Sequence, residues 1–95
     1  MSKTSITLPD KLDISAVISL KSRLEKALEK DANEIEVSGQ NVENVDSAAV
    51  QLLLSFQKKV LSVGKEIRFV KTSDKMVAGV KLLGASSLLN LEEID

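Results

Sequence analysis

Hydrophobic and polar residues alternate with two different periods along this chain, and the switches between them mark out its elements. Ser5, Ile6, Thr7 and Leu8 alternate polar and apolar, Pro9-Asp10 interrupts, and Lys11-Leu12 resumes an extended pattern. The opening therefore predicts a short strand, a turn and a second strand, a pair that suits a hairpin. From Asp13 the period lengthens: Val17, Leu20, Leu24, Ala27 and Leu28 recur every three or four residues, opposite Lys21, Arg23, Glu25, Lys26 and Glu29. That is an amphipathic helix, with Asp13 or Ser15 able to accept from the free N–H groups of its first turn. Its pairs Glu25/Glu29 and Lys26/Lys30 are like-charged, so packing rather than ion pairing must hold it.

Glu34, Ile35, Glu36, Val37 and Ser38 alternate again and stop at Gly39, a second clear strand with Ile35 and Val37 on one face. A loop is expected over residues 40–45. The most apolar run follows, with Val50, Leu53, Leu54, Val60 and Leu61 on one helical face, widened by Ala49, Leu52 and Phe56. Gly64 stands where a left-handed cap ends such a helix. Glu66, Ile67, Arg68, Phe69, Val70 and Lys71 form a further strand; Thr72-Ser73-Asp74 supplies a cap for a helix carrying Met76, Val77, Val80 and Leu83, and Gly84 ends it. Residues 88–94 predict a last strand. Strands separated by helices imply parallel pairing through right-handed crossovers. The expected fold class is α/β: a small mixed sheet with packed helices, in the order ββαβαβαβ.

Composition narrows the chemistry. With 95 residues, 43% of them hydrophobic, the chain suits one domain spanning residues 1–95. It contains no Cys and no His, which removes thiol nucleophiles, disulfides, Cys or His zinc sites and Ser-His-Asp triads. Thirteen basic and fourteen acidic side chains give a net charge of -1, and the only aromatics are two Phe, so neither phosphate attraction nor base stacking points to nucleic acid. Residues 1–10 lack the features of a signal peptide, and no run approaches the roughly 18 apolar residues of a membrane span, so the expectation is a cytoplasmic protein without direct membrane insertion.

The carboxylates Glu34, Glu36, Glu43 and Asp46 gather near one another in sequence, but Glu34 and Glu36 point away from the apolar face of their strand and read as solvated rather than catalytic. The four glycines are too scattered for a phosphate-binding loop, and the lysines at 58, 59, 65, 71, 75 and 81 are interspersed with acids. No catalytic residue, metal ligand or cofactor is assigned. One segment stands apart: Asn44-Val45-Asp46-Ser47-Ala48-Ala49-Val50-Gln51 delivers an acid and a hydroxyl to the start of the most apolar helix. Asp46 suits the N-cap and Ser47 the first turn, where the dipole favours an oxygen. The segment reads either as a plain cap or as a contact that phosphorylation of Ser47, adding roughly 1.5–2 negative charges beside Asp46, would switch off.

At Val45-Asp46-Ser47-Ala48-Ala49 the chain resembles the STAS domains, the fold of bacterial anti-sigma factor antagonists. The resemblance extends through the opening strands, Leu12-Asp13-Ile14, Ile35-Glu36-Val37, Val63-Gly64, Ile67-Arg68-Phe69-Val70 and Leu82-Leu83-Gly84. In phosphorylated antagonists the motif runs approximately D-S-S/T-G, and a kinase that is also the anti-sigma factor modifies the second hydroxyl. Here Asp46 and Ser47 match, while Ala48 stands at the acceptor position and Ala49 at the glycine, so the standard phospho-switch is expected to be absent. The small STAS subunit of the lipid-asymmetry ABC transporter is similar in carrying a single hydroxyl at the place of Ser47, within its contact with the ATPase subunit. The resemblance implies a non-enzymatic interaction module using Asn44, Val45, Asp46, Ser47, Ala48, Val50 and Gln51, and Ile18, which falls off the buried stripe of its helix, is a further candidate anchor. The partner that the resemblance implies is an anti-sigma factor kinase, an ABC ATPase subunit or a chemotaxis protein. The competing class is a small-ligand or nucleotide-binding domain.

Overall fold

The computed structural model describes residues 2–85 and 87–93. The chain runs β1 (Lys3–Thr7), β2 (Lys11–Leu12), α1 (Ile14–Glu29), β3 (Glu34–Ser38), β4 (Asn44–Val45), α2 (Ser47–Ser62), β5 (Glu66–Thr72), α3 (Asp74–Leu82) and β6 (Leu91–Glu93). Four strands form one sheet in the order β1-β3-β5-β6, and β2 pairs with β4 in a separate ribbon. Every one of these pairings is parallel. The α/β class and the STAS-type arrangement of helices on a small sheet are as expected, but the opening hairpin and the mixed sheet are corrected. Pro9-Asp10 does not fold β2 back on β1. It carries the chain away from the sheet, and β1 and β2 each pair with a strand that arrives later.

One face of the sheet holds the core. Ile6, Ile35, Val37 and Phe69 point into it and meet Leu20 and Leu24 of α1, Val50, Leu53 and Val60 of α2 and Met76 and Val80 of α3. Each fully buried aliphatic side chain contributes about 1.5–3 kcal/mol. The predicted face of α2 holds for Val50, Leu53, Phe56 and Val60, whereas Leu61 is exposed. In α3, Met76 and Val80 are buried and Leu83 is not.

The opposite face is open, which is unusual for parallel sheets, generally covered on both sides. It carries a row of charges, with Val70 as a buried apolar residue beside them. Glu36 lies 3.3 Å from Lys3 Nζ and 3.7 Å from Arg68 Nη1. Arg68 in turn donates to both carboxylate oxygens of Glu92 in β6, at 2.9 and 2.7 Å. At the β6 edge β5 bulges between Phe69 and Thr72, with Lys71 at a φ of 51°, and the buried Thr72 hydroxyl donates to the Glu92 carbonyl at 3.0 Å. The last strand is thus pinned by polar contacts, and it covers only part of the predicted 88–94, of which residue 94 lies outside the described residues.

Helix ends are satisfied locally. At the end of α2, Gly64 takes a φ of 79°, its N–H donates to Leu61 and the Lys65 N–H donates to Val60, the paired pattern that closes a helix with a left-handed residue. Lys65 then reaches across to α1, where its ammonium donates to the carbonyls of Leu28 and Lys30 at 2.9 and 2.8 Å. A cation among terminal carbonyls opposes the negative end of the helix dipole. Lys65→Met keeps the aliphatic stem and removes that cap, so a loss of about 1 kcal/mol is expected in urea unfolding.

Candidate functional site

The small ribbon builds the site. Lys11 lies opposite Asn44 and Leu12 opposite Val45, so the residues that follow, Asp13 and Asp46, occupy equivalent positions side by side. The Asp46 N–H donates to the Leu12 carbonyl at 2.9 Å, and the Glu43 and Asn44 N–H groups both donate to the Asp10 carbonyl. Each aspartate then caps the helix that starts after it. Asp46 accepts from the Ala49 N–H at 3.0 Å, and Asp13 accepts from the Ala16 N–H at 3.2 Å and from the Ser15 hydroxyl at 2.6 Å. Two helix N-termini are thereby set in parallel at one corner of the molecule, each already holding a carboxylate.

Ser47, in the first turn of α2, is exposed, as are Asn44 and Gln51; Val45, Asp46 and Ala48 are half-buried. Val50 is only 3% exposed and packs in the core, so its expected place among the contact residues is corrected: it orients α2 from beneath and does not reach the surface. Ile18 stands 83% exposed on α1, and Ile14, which the sequence pattern did not single out, is 75% exposed one turn earlier. Farther along the same two helices, Lys21, Leu24 and Glu25 of α1 line a groove with Leu52, Ser55, Phe56 and Lys59 of α2. Positions 14, 18, 21 and 25 share one stripe of α1, and its later part, Lys21 and Glu25, borders α2. Two large aliphatic side chains in water beside two polar helix starts make an apolar patch with a polar rim, the composition of a protein contact.

The position of this corner depends on a close approach from behind. A Cβ at Gly79 in α3 would stand 2.9 Å from the Val45 Cβ and 3.2 Å from its Cγ2. Alanine there would gain about 1 kcal/mol of helix propensity but crowd β4 at a cost of about 1–3 kcal/mol. Gly79→Ala is therefore expected to lower the melting temperature, with backbone amide shifts spreading to Val45 and Asp46.

The carboxylates do not converge. Glu36 belongs to the charge row on the open sheet face, Glu43 is exposed in the loop and Asp46 is a cap. Where a carboxyl departs from its ordinary range it goes down: Asp13 through the Ser15 hydroxyl bond, and Glu92 through its bond to Arg68. Both shifts favour the ionised form, the reverse of what a proton donor requires.

These features define a small α/β domain with a charged open sheet face and a pair of capped helix starts at one corner. The chain belongs to the STAS domain family: the family model described as "Mlab, STAS domain" matches residues 2–90. Solved structures share the fold. The protein TM1081 superposes with a TM-score of 0.77 at 18% identity, covering 97% of this chain and 74% of that one. The anti-sigma factor antagonist SpoIIAA in its unphosphorylated form gives 0.73 at 18% identity, with 93% and 77% covered. A sulfate transporter family protein from Wolinella succinogenes gives 0.67 at 17% identity, with 94% and 70% covered. No curated protein sequence matches the chain. Among the described residues no helix is long and apolar enough to cross a membrane.

Proposed function

We propose that this STAS domain is a non-enzymatic interaction module that docks a protein partner on the corner formed by the starts of α1 and α2. The observation that carries the reading is the exposure of Ile14 and Ile18 beside the paired caps, since aliphatic side chains left in water next to an ordered polar rim are what a partner would desolvate. Asp46, Ser47, Asn44, Ala48 and Gln51 form the rim on the α2 side, with Val45 beneath them. Of the partner classes, an ABC transporter ATPase is favoured over an anti-sigma factor kinase by two facts. Ala48 stands where the acceptor hydroxyl of a phosphorylated antagonist belongs, and the matching family model carries the Mlab description. A phosphate-bearing ligand at the same corner is disfavoured, because Asp13 and Asp46 each already take one of the N–H groups an anion would use and their carboxylates would repel it.

The test is affinity capture from the native cell lysate with wild type, Ser47→Asp and Ile18→Asp side by side. An ATPase subunit is expected to be retained by wild type and lost from both variants. The same proteins retained by all three would overturn the proposal.

A further inference from the structure

A second surface, remote from the corner, has its own chemistry. Among the described residues β1 is an edge strand, bonded to β3 on one side only. The Leu8 N–H donates to Ser38 of the strand β3, and the alternation of a strand then turns the N–H and C=O groups of Thr7, Ser5 and Lys3 outward. One outward group is taken: Arg23 of α1 donates to the Thr7 carbonyl at 2.8 Å. The Ser5 pair faces a groove whose floor is Thr4, Ser5, Ile6 and Thr7 and whose wall is Arg23, Lys26, Ala27 and Lys30 of α1. Among the described residues three cations border this groove and no carboxylate does.

We propose that this edge accepts an acidic, extended peptide segment of a partner as an additional strand. Main-chain bonding to a free edge gives such a complex its affinity, and side chains at alternate positions give it specificity. Every second residue of an added strand would lie on the helix side, at a spacing of about 6.7 Å. Arg23 to Lys30 spans roughly 10.5 Å along α1, so the cationic row serves two successive helix-side positions, which must be acidic. The same row, with Lys3 on the strand itself, repels the equivalent edge of a second copy. The edge is guarded against self-pairing and open to a strand of opposite charge.

The probe is a fluorescein-labelled octapeptide of alternating Glu and Val, followed by fluorescence anisotropy, with alternating Lys and Val as the control. Saturable binding of the acidic peptide alone is expected, weakened about tenfold or more in the Lys26→Glu, Lys30→Glu double variant, whose changes are on the exposed surface. Ser5→Pro removes only an outward N–H, which edge strands tolerate, and is expected to abolish binding. Because that variant can also disturb β1, amide shifts of the wild-type protein provide the second reading, with the largest change expected at Ser5. No saturable binding, equal binding of both peptides, binding by a folded Ser5→Pro variant, or shifts centred away from β1 would each overturn the proposal.

Discussion

Leu53→Ala is expected to remove about 2–5 kcal/mol of stability, the largest loss of any single truncation considered for this chain. Leu53 is 0% exposed and lies at the middle of α2. Shortening it deletes buried methyl groups and leaves a space that the surrounding aliphatic side chains fill only in part. Since domains of this size are stable by only about 5–15 kcal/mol, the transition in urea or heat should move conspicuously. Leu61→Ala is the matched control. The repeat of apolar residues puts Leu61 on the same stripe as Leu53, yet it is more than half exposed, and its truncation is expected to change stability by no more than about 0.5 kcal/mol. Equal losses in the two variants would mean that the buried face of α2 is misplaced.

Ile18→Asp and Ser47→Asp are expected to do the opposite, leaving the melt near that of wild type while partner affinity falls by about tenfold or more. Ile18 is exposed, so a polar replacement removes little buried area, and a first-turn acid at Ser47 sits at the favourable end of the helix dipole. In the complex both substitutions place a carboxylate against desolvated apolar surface, where an unpaired charge is costly. Phosphorylation of Ser47 would act in the same direction with greater charge, beside the carboxylate of Asp46. Thermal melts and calorimetric titration separate the two effects. A variant that loses its melting transition would show that these residues hold the fold together.

What the sequence made legible follows from length. β3, β5 and the long helices present five or more residues in a regular period, and Asp13, Asp46 and Ser73 announce caps by type and place. β4 has two residues and therefore no alternation to detect, so the segment reads as loop. Missing it removed the partner of β2, and the hairpin with β1 was the remaining short connection. The corner was consequently visible as two separate caps but not as a pair. One signal was available: Leu12-Asp13 and Val45-Asp46 each place an apolar residue before a capping aspartate, with the N–H groups of Ala16 and Ala49 three positions on to donate the capping bond. Val50 was named a contact residue because it lies within the motif segment, although the helical phase of α2 already put it on the core face with Leu53 and Val60. Ile14 was overlooked because an apolar residue next to an N-cap gives no indication of which way it faces.

The most direct test of the paired-helix corner is calorimetric titration of the captured partner against four proteins: wild type, Ile18→Asp, Ser47→Asp and Leu82→Asp. Leu82 is 87% exposed at the end of α3, an equally apolar surface residue outside the corner. Both corner variants are expected to lose affinity by about tenfold or more while Leu82→Asp binds as wild type does. Wild-type affinity in both corner variants, together with lost binding in Leu82→Asp, would contradict this and move the docking surface to the far end of α3.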